Sequence, residues 1–184
     1  MMKKQGLYDP RFEHDACGVG FVVNINGDRT HQIVTDGITI LKNLIHRGAV
    51  GGDLKTGDGA GMLTQIPYEF FSEQCSRLKI KLPEPEKYGI GMVFLPMDEK
   101  ERKTAVSIIE KTIASEGGKL LGFRDVPAKP DCLGEIALES RPYMMQFFVT
   151  FNGLSADELE NKKLFRFSEQ LRGAGMSMSN NPVK

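Results

Sequence analysis

Apolar positions recur along this chain in rhythms that change from stretch to stretch. Residues 17–24 read as a strand, and Asn26-Gly27 is the dipeptide that most favours a tight hairpin turn. Residues 29–34 are expected to return as the partner strand. Ile38, Leu41, Leu44 and Ile45 then repeat at helical spacing, with Asp36 placed to cap the helix. A glycine-rich loop runs from 46 to 61, followed by a short strand at 62–66. Pro67 suits the first turn of a helix reaching residue 79. Residues 89–95 form the unbroken apolar run of a buried strand. Asp98-x-x-Glu101 has the form of a capping box and opens a helix that Gly117-Gly118 ends. Residues 120–123 read as a strand, and 143–151 as a longer one. Met144-Met145 and Phe147-Phe148 fit burial of that strand on both faces. It closes at an Asn152-Gly153 turn, after which Ser155-x-x-Glu158 caps a last helix to about residue 172. The polar tail from Ser177 to Lys184 has no period and is expected to fray.

Strands and helices therefore interleave, but a chain whose first two strands form a hairpin does not build a purely parallel, doubly wound sheet. The pattern predicts mixed α and β layers with antiparallel pairing. There are no repeats, low-complexity tracts or linkers, and 184 residues suffice for one domain with its own core.

Composition removes several function classes. Lys and Arg number 24 against 24 Asp and Glu, so the basic excess that grips nucleic acid is missing. No apolar run approaches the length that spans a bilayer. The opening Met1-Met2-Lys3-Lys4-Gln5-Gly6 has no apolar stretch behind its lysines, which points away from secretion and towards the cytoplasm. Cys17, Cys75 and Cys132 are odd in number and widely spaced, fitting neither a disulfide framework nor a metal site. Cys75 and Cys132 are expected to pack as small core hydrophobes. His14, His31 and His46, placed in the leader, on a strand and at a helix end, form no ligand pattern.

Two features could carry chemistry. Cys17 stands in Asp15-Ala16-Cys17-Gly18-Val19-Gly20-Phe21, where the glycines leave room for a substrate against the backbone. A thiol with a pKa of roughly 8.5 needs a base to act as a nucleophile near neutrality. Its own α-amine, with a free pKa of roughly 7.7–8.0, could serve once the Ala16–Cys17 bond is cut. A buried, inert thiol is the alternative. The loop His46-Arg47-Gly48-Ala49-Val50-Gly51-Gly52-Asp53-Leu54-Lys55-Thr56-Gly57-Asp58-Gly59-Ala60-Gly61 lacks both the strand-glycines-helix order and the Gly-Lys-Ser/Thr ending of phosphate loops. It reads as a backbone-shaped substrate loop, with Arg47 available for a carboxylate, or as a plain surface loop.

Three of these stretches together, Asp15 to Phe21, His46-Arg47-Gly48-Ala49 and Thr56-Gly57-Asp58-Gly59-Ala60-Gly61, stand in the order and spacing of glutamate synthase large subunits. Gly91-Met92-Val93-Phe94-Leu95-Pro96, Phe123-Arg124-Asp125-Val126-Pro127, Tyr143 to Val149 and Lys163-Leu164-Phe165-Arg166 extend the resemblance. It implies an α+β fold of the N-terminal-nucleophile hydrolase type, antiparallel sheets sandwiched between helical layers. It also implies a propeptide at 1–16, a type-2 glutamine amidotransferase domain at 17–176 and a flexible tail at 177–184. Cys17 is then the catalytic nucleophile, with Gly18 and Arg47 binding substrate. The substrate is L-glutamine, whose ammonia serves the reductive amination of 2-oxoglutarate. No cofactor is expected in this chain. In the full-length enzyme the resemblance implies FMN, an iron–sulfur cluster and an electron-donor subunit or ferredoxin.

In the resembled family, the substrate-clamping Arg, the Asn-Gly oxyanion pair and a carboxylate for the glutamine amine come later in the chain. This chain therefore reads as truncated and incomplete at its C-terminus, with weak or no glutaminase activity in isolation, since one oxyanion donor is worth roughly 2.7–4 kcal/mol. Asn152-Gly153 precedes a capping box and reads as a turn rather than a substitute. Two alternatives stand beside this reading: another N-terminal-nucleophile hydrolase, and a non-catalytic remnant serving as an assembly or regulatory module.

Overall fold

The computed structural model describes residues 18–50, 52–53, 55–153 and 178–179, the last two in backbone only. The protein is α+β, with helices and an antiparallel sheet, and falls into two compact units, one ending at Met62 and one beginning at Leu63.

The first unit is organised by helix α1, His31–Asn43, which runs on through a 3₁₀ turn at Ile45–Arg47. Ile33, Val34, Gly37, Ile40, Leu41 and Leu44 form its half-buried stripe. That stripe begins ahead of Asp36, so Asp36 lies inside the helix, where it accepts a bond from Gln32 Nε2 (2.8 Å), and Thr30 takes the N-cap position. The strand expected at 29–34 is thus mostly helix, and His31 is a helical residue. No ladder joins 18–24 to it either. A turn does form, but Gly27 N–H bonds Asn24 O (3.0 Å), which leaves Ile25 and Asn26 as the central pair. Asn24 Oδ1 also takes the Asn26 N–H (2.8 Å), so the Asn24 side chain competes for a donor that an Asn26-Gly27 hairpin would use differently. Residues 62–66, read as a strand, have no regular structure.

Among the described residues, the second unit is built on a four-stranded sheet in the order β2-β3-β1-β4. Strands β1 (Gly89–Leu95) and β3 (Tyr143–Phe151) have the expected bounds, while β2 (Gly118–Asp125) is longer than the 120–123 reading. Both β1 and β2 pair antiparallel with β3, so they run parallel to one another with β3 between them. Helix α3, Glu99–Ser115, makes the crossover connection that parallel strands require. The fourth strand, Met178–Ser179, pairs with Val93 and Met92, so these two residues of the supposedly frayed tail are in the sheet. The helix expected at 155–172 lies outside the described residues.

Each helix boundary has a local cause. Asp98 caps α3 by accepting the Glu101 N–H (2.8 Å), a bond worth about 1 kcal/mol. Gly117, at φ +74°, ends it with a bond to Ala114 O (3.0 Å). Helix α2, Tyr68–Arg77, starts behind Pro67 and ends differently. Lys79 adopts φ +59° while Ile80 N–H bonds Cys75 O (2.8 Å) and Lys79 N–H bonds Ser76 O (3.1 Å). This is a Schellman closure with lysine where glycine is preferred.

The core occupies both faces of the sheet, as the run in β3 requires. On one face Val93, Leu95, Phe147, Val149 and Phe151 meet Ile109 and Ile113, one turn apart on α3. Full burial of such side chains contributes roughly 1.5–3 kcal/mol each. On the other face Phe148 meets Phe71, Cys75 and Tyr88. The Phe71 and Phe148 rings stand edge-on at 5.6 Å, an arrangement that quadrupole electrostatics favours. A bulge between Leu120 and Gly122 turns Leu121 and Gly122 to this face, against Ile80.

Two arginines tie the polar edges together. Arg124, 8 % exposed, donates to Gln146 Oε1 (2.8 Å) and Gln74 Oε1 (3.5 Å), with Phe70 lying across its guanidinium at 5.4 Å. Arg102 donates to Pro96 O and Met97 O and stacks 4.1 Å over Tyr143, so one side chain braces the turn from β1 into α3.

Candidate active site

Residues flanking the expected site lie in the first unit, and helix α1 positions them. Residue 18 approaches Leu44 and residue 20 approaches Ile40, so the chain leaving position 17 runs antiparallel along the helix. The spacings match: two extended residues span about 6.6 Å and four helical residues about 6 Å. The approach is close enough to demand glycine at position 20 and is tight at position 18. A Cβ on Gly20 would fall 2.5 Å from Ile40 Cγ2, and one on Gly18 would fall 3.1 Å from Leu44 Cδ2. Val19, Phe21, Val23 and Ile25 point the other way and are exposed.

Arg47 closes the 3₁₀ turn. Its N–H bonds Leu44 O (2.8 Å), and the Gly48 N–H bonds Ile45 O (3.2 Å). The Arg47 stem lies beside Gly18, with Cγ 3.4 Å from where a Gly18 Cβ would stand. Among the described residues no carboxylate pairs with its guanidinium, which is exposed. The structure thus brings Gly18 and Arg47 together; Cys17 and His14 lie outside the described residues. The His46 ring nitrogen Nδ1 meets Asn43 O at 2.9 Å, so this histidine satisfies a carbonyl at the helix end.

The glycine-rich loop is shaped by its two aspartates, which the sequence reading passed over. Asp58 Oδ2 accepts the Ala49 N–H (2.8 Å), and Asp58 N–H returns a bond to Ala49 O (3.1 Å). Val50 and Gly57 form an antiparallel bridge inside this closure. Asp53 accepts from Thr56 N–H (2.7 Å), Thr56 Oγ1 (2.6 Å) and Lys55 N–H (3.1 Å). These amides already face carboxylates, which makes the loop a poor cradle for a phosphate. The available signal was Asp53-x-x-Thr56, an aspartate able to turn its own backbone.

The other sequence candidates lie in the second unit. Cys75 is fully buried on α2, and burial pushes its thiol pKa up against a smaller opposing pull from Arg124. Cys132 does not share that packing. It is exposed on the 3₁₀ turn Pro130–Cys132, with Sγ 3.7 Å from Lys129 O, because this short turn offers no apolar face to bury. Asn152-Gly153 is a turn directly after β3, with Gly153 at φ +76°. Among the described residues no three His, Cys, Asp or Glu side chains are grouped to hold a metal ion. Among them, too, no helix is long and apolar enough to cross a membrane.

Comparison with known proteins identifies the family. The model of the family "Glutamine amidotransferases class-II" matches residues 17–181. The chain is 44 % identical over 181 residues to the glutamate synthase [NADPH] large chain of Bacillus subtilis, covering 96 % of this chain and 12 % of that protein. It is 45 % identical over 148 residues to the glutamate synthase [NADH] of Saccharomyces cerevisiae, covering 78 % and 7 %. Against the ferredoxin-dependent glutamate synthase 2 of Synechocystis the identity is 36 % over 151 residues, covering 82 % and 10 %. The chain therefore spans a small fraction of each relative's length. With the family model covering nearly all of it, the chain belongs to the class-II glutamine amidotransferases.

Proposed function

We propose that this chain is the glutamine-hydrolysing domain of a glutamate synthase, with Cys17 as its nucleophile. The observation that carries the reading is the Arg47 side chain lying against Gly18, the residue that follows Cys17. An exposed arginine with no carboxylate partner among the described residues, its stem against the nucleophile's neighbour, is suited to receive the α-carboxylate of L-glutamine, and the Gly18 backbone gives the substrate room.

In this reading residues 1–16 are removed and the freed α-amine of Cys17 takes the thiol proton. The thiolate attacks the side-chain amide carbon, the carbon–nitrogen bond breaks, and ammonia leaves with the proton returned. Water then cleaves the thioester, releasing glutamate and restoring the thiol. The fold belongs to the N-terminal-nucleophile hydrolase type, which the helix-covered antiparallel sheet supports. Ammonia passes to a 2-oxoglutarate and flavin site in the remaining synthase segments, in the cytoplasm. In this reading FMN and the iron–sulfur cluster belong to those segments as well. Reducing equivalents come from an electron-donor subunit or from ferredoxin; relatives named for NADPH and for ferredoxin are among the similar proteins.

The test is ammonia release from L-glutamine by the chain alone and mixed with the synthase segments that follow it in the relatives, alongside intact-mass analysis. Loss of residues 1–16 and turnover that Cys17→Ala abolishes are expected. Turnover that survives Cys17→Ala sinks the reading, and no ammonia in either arm favours the non-catalytic assembly module.

A further inference from the structure

We infer that Asp58 is a positioning residue for Arg47, holding it in place for the substrate carboxylate. The inference rests on the reading of Arg47 just given. Arg47 is fixed on its N-terminal side by helix-type bonds, Arg47 N–H to Leu44 O and Gly48 N–H to Ile45 O. On its C-terminal side the chain leaves the helix, and nothing of helical periodicity holds it. There Asp58 intervenes, nine residues beyond Ala49. Its carboxylate takes the Ala49 N–H at 2.8 Å, and its own N–H bonds Ala49 O at 3.1 Å. Ala49 is thereby held through both its backbone polar groups, two residues past Arg47.

The pairing is tight. A Cβ on Gly57 would stand 3.0 Å from Ala49 O, so the two loop feet are as close as backbones come. Val50 and Gly57 add one bridge inside them. A hydrogen bond to a charged acceptor is stronger than the neutral backbone bond beside it, which makes the Asp58 side chain the stronger half of the clamp. The Arg47 stem abuts Gly18, so a loop foot released at Ala49 frees the backbone that aims this stem. Asp58 touches no substrate in this scheme; it acts through Ala49 on Arg47.

The experiment compares Asp58→Ala and Asp58→Asn with wild type in the ammonia-release assay, with the following synthase segments present. Asparagine keeps an oxygen for the Ala49 N–H. The expected result is a KM for glutamine raised about tenfold in Asp58→Ala with kcat within about twofold, and largely recovered in Asp58→Asn. Hydrogen exchange at the Ala49 amide is measured in parallel and is expected to quicken at least tenfold in Asp58→Ala. An unchanged KM, or equal loss of kcat in both variants, overturns the inference. A wild-type protein inert towards glutamine refutes the glutaminase reading and with it the carboxylate role. The exchange data then decide the clamp on their own: quickening upholds it, and no change removes it.

Discussion

The ring of Phe147 fills the space over Gly91: a Cβ added to Gly91 would stand 2.1 Å from Phe147 Cζ and 2.2 Å from Cε1. The two residues face each other across the β1–β3 ladder, Gly91 opposite Phe147. The ring is fully buried in the core with Ile109 and Ile113 of α3, so room for a methyl must come from shifting packed neighbours. Gly91→Ala is expected to destabilise the protein by about 1–3 kcal/mol, the usual cost of overpacking. In a Phe147→Leu background the same substitution should cost less, because the atoms it strikes are gone. Chemical denaturation of the four proteins of this cycle measures both, and an additive result would show that the ring is not the obstacle.

Lys79 is the one residue in the α2 closure whose side chain disfavours its backbone. It holds φ +59° at the position that Gly117 fills after α3. The left-handed conformation costs an ordinary residue roughly 1–2 kcal/mol, against about 0.5–1 kcal/mol of extra unfolded-state entropy for glycine. Lys79→Gly should therefore raise stability by about 0.5–1 kcal/mol, visible as a higher midpoint in urea. Lys79→Val should move it the other way.

Tyr88 makes the stability of the second unit sensitive to alkali. Burial, aided by Tyr68 and Cys75, pushes its hydroxyl up to about 12 from an ordinary 10.0. A folded-state value above the unfolded one favours the protonated native form. The contribution is complete below pH 10 and is lost as the pH rises towards 12. Unfolding followed between pH 9 and 12 should show a falling limb that Tyr88→Phe flattens. Tyr143 moves in the same direction, chiefly through its hydrogen bond with Asp125, so the double variant with Tyr143→Phe should be flatter still.

The thiols should separate by rate. Cys132 is exposed and Cys75 has no accessible surface. Iodoacetamide under native conditions is expected to modify Cys132 within minutes and to leave Cys75 unmodified until the protein unfolds, since burial both shields that thiol and raises its pKa. Peptide mapping by mass reads each site separately. Prompt native labelling of Cys75 would contradict the α2 packing.

Arg47→Ala is expected to raise the KM for glutamine by about ten- to a hundredfold, the range set by losing a charge-assisted pair of roughly 1.5–3 kcal/mol. Arg47→Lys should recover only part of this, because an ammonium cannot make the paired bonds of a guanidinium. A loss confined to kcat would remove Arg47 from substrate binding.

What could be read from the chain depended on whether the cause was local. β1 and β3 declare their bounds because short, mainly apolar stretches of seven and nine residues favour strands, and Asp98 caps α3 through a bond three residues away. Residues 29–34 misled because Asn26-Gly27 signals a turn whether or not strands flank it. The helical stripe beginning at Ile33 was the competing signal, and it won. Cys132 misled because a free cysteine with no basic neighbour is ordinarily a small core hydrophobe, and a three-residue turn has no such core to offer. At the site, Cys17 and Arg47 were visible only as parts of motifs. The Asp58 bond to Ala49 spans nine residues without periodicity, and no pattern along the chain marks it.

A loop tied at its own neck also sets a rule for length. The Ala49–Asp58 closure holds the two feet together independently of what lies between them. Residues inserted between Val50 and Gly57 would enlarge the ring at a cost growing only as the logarithm of its size, while the segments entering and leaving it keep their separation. The neck, and not the span it encloses, is where the chain tolerates no lengthening.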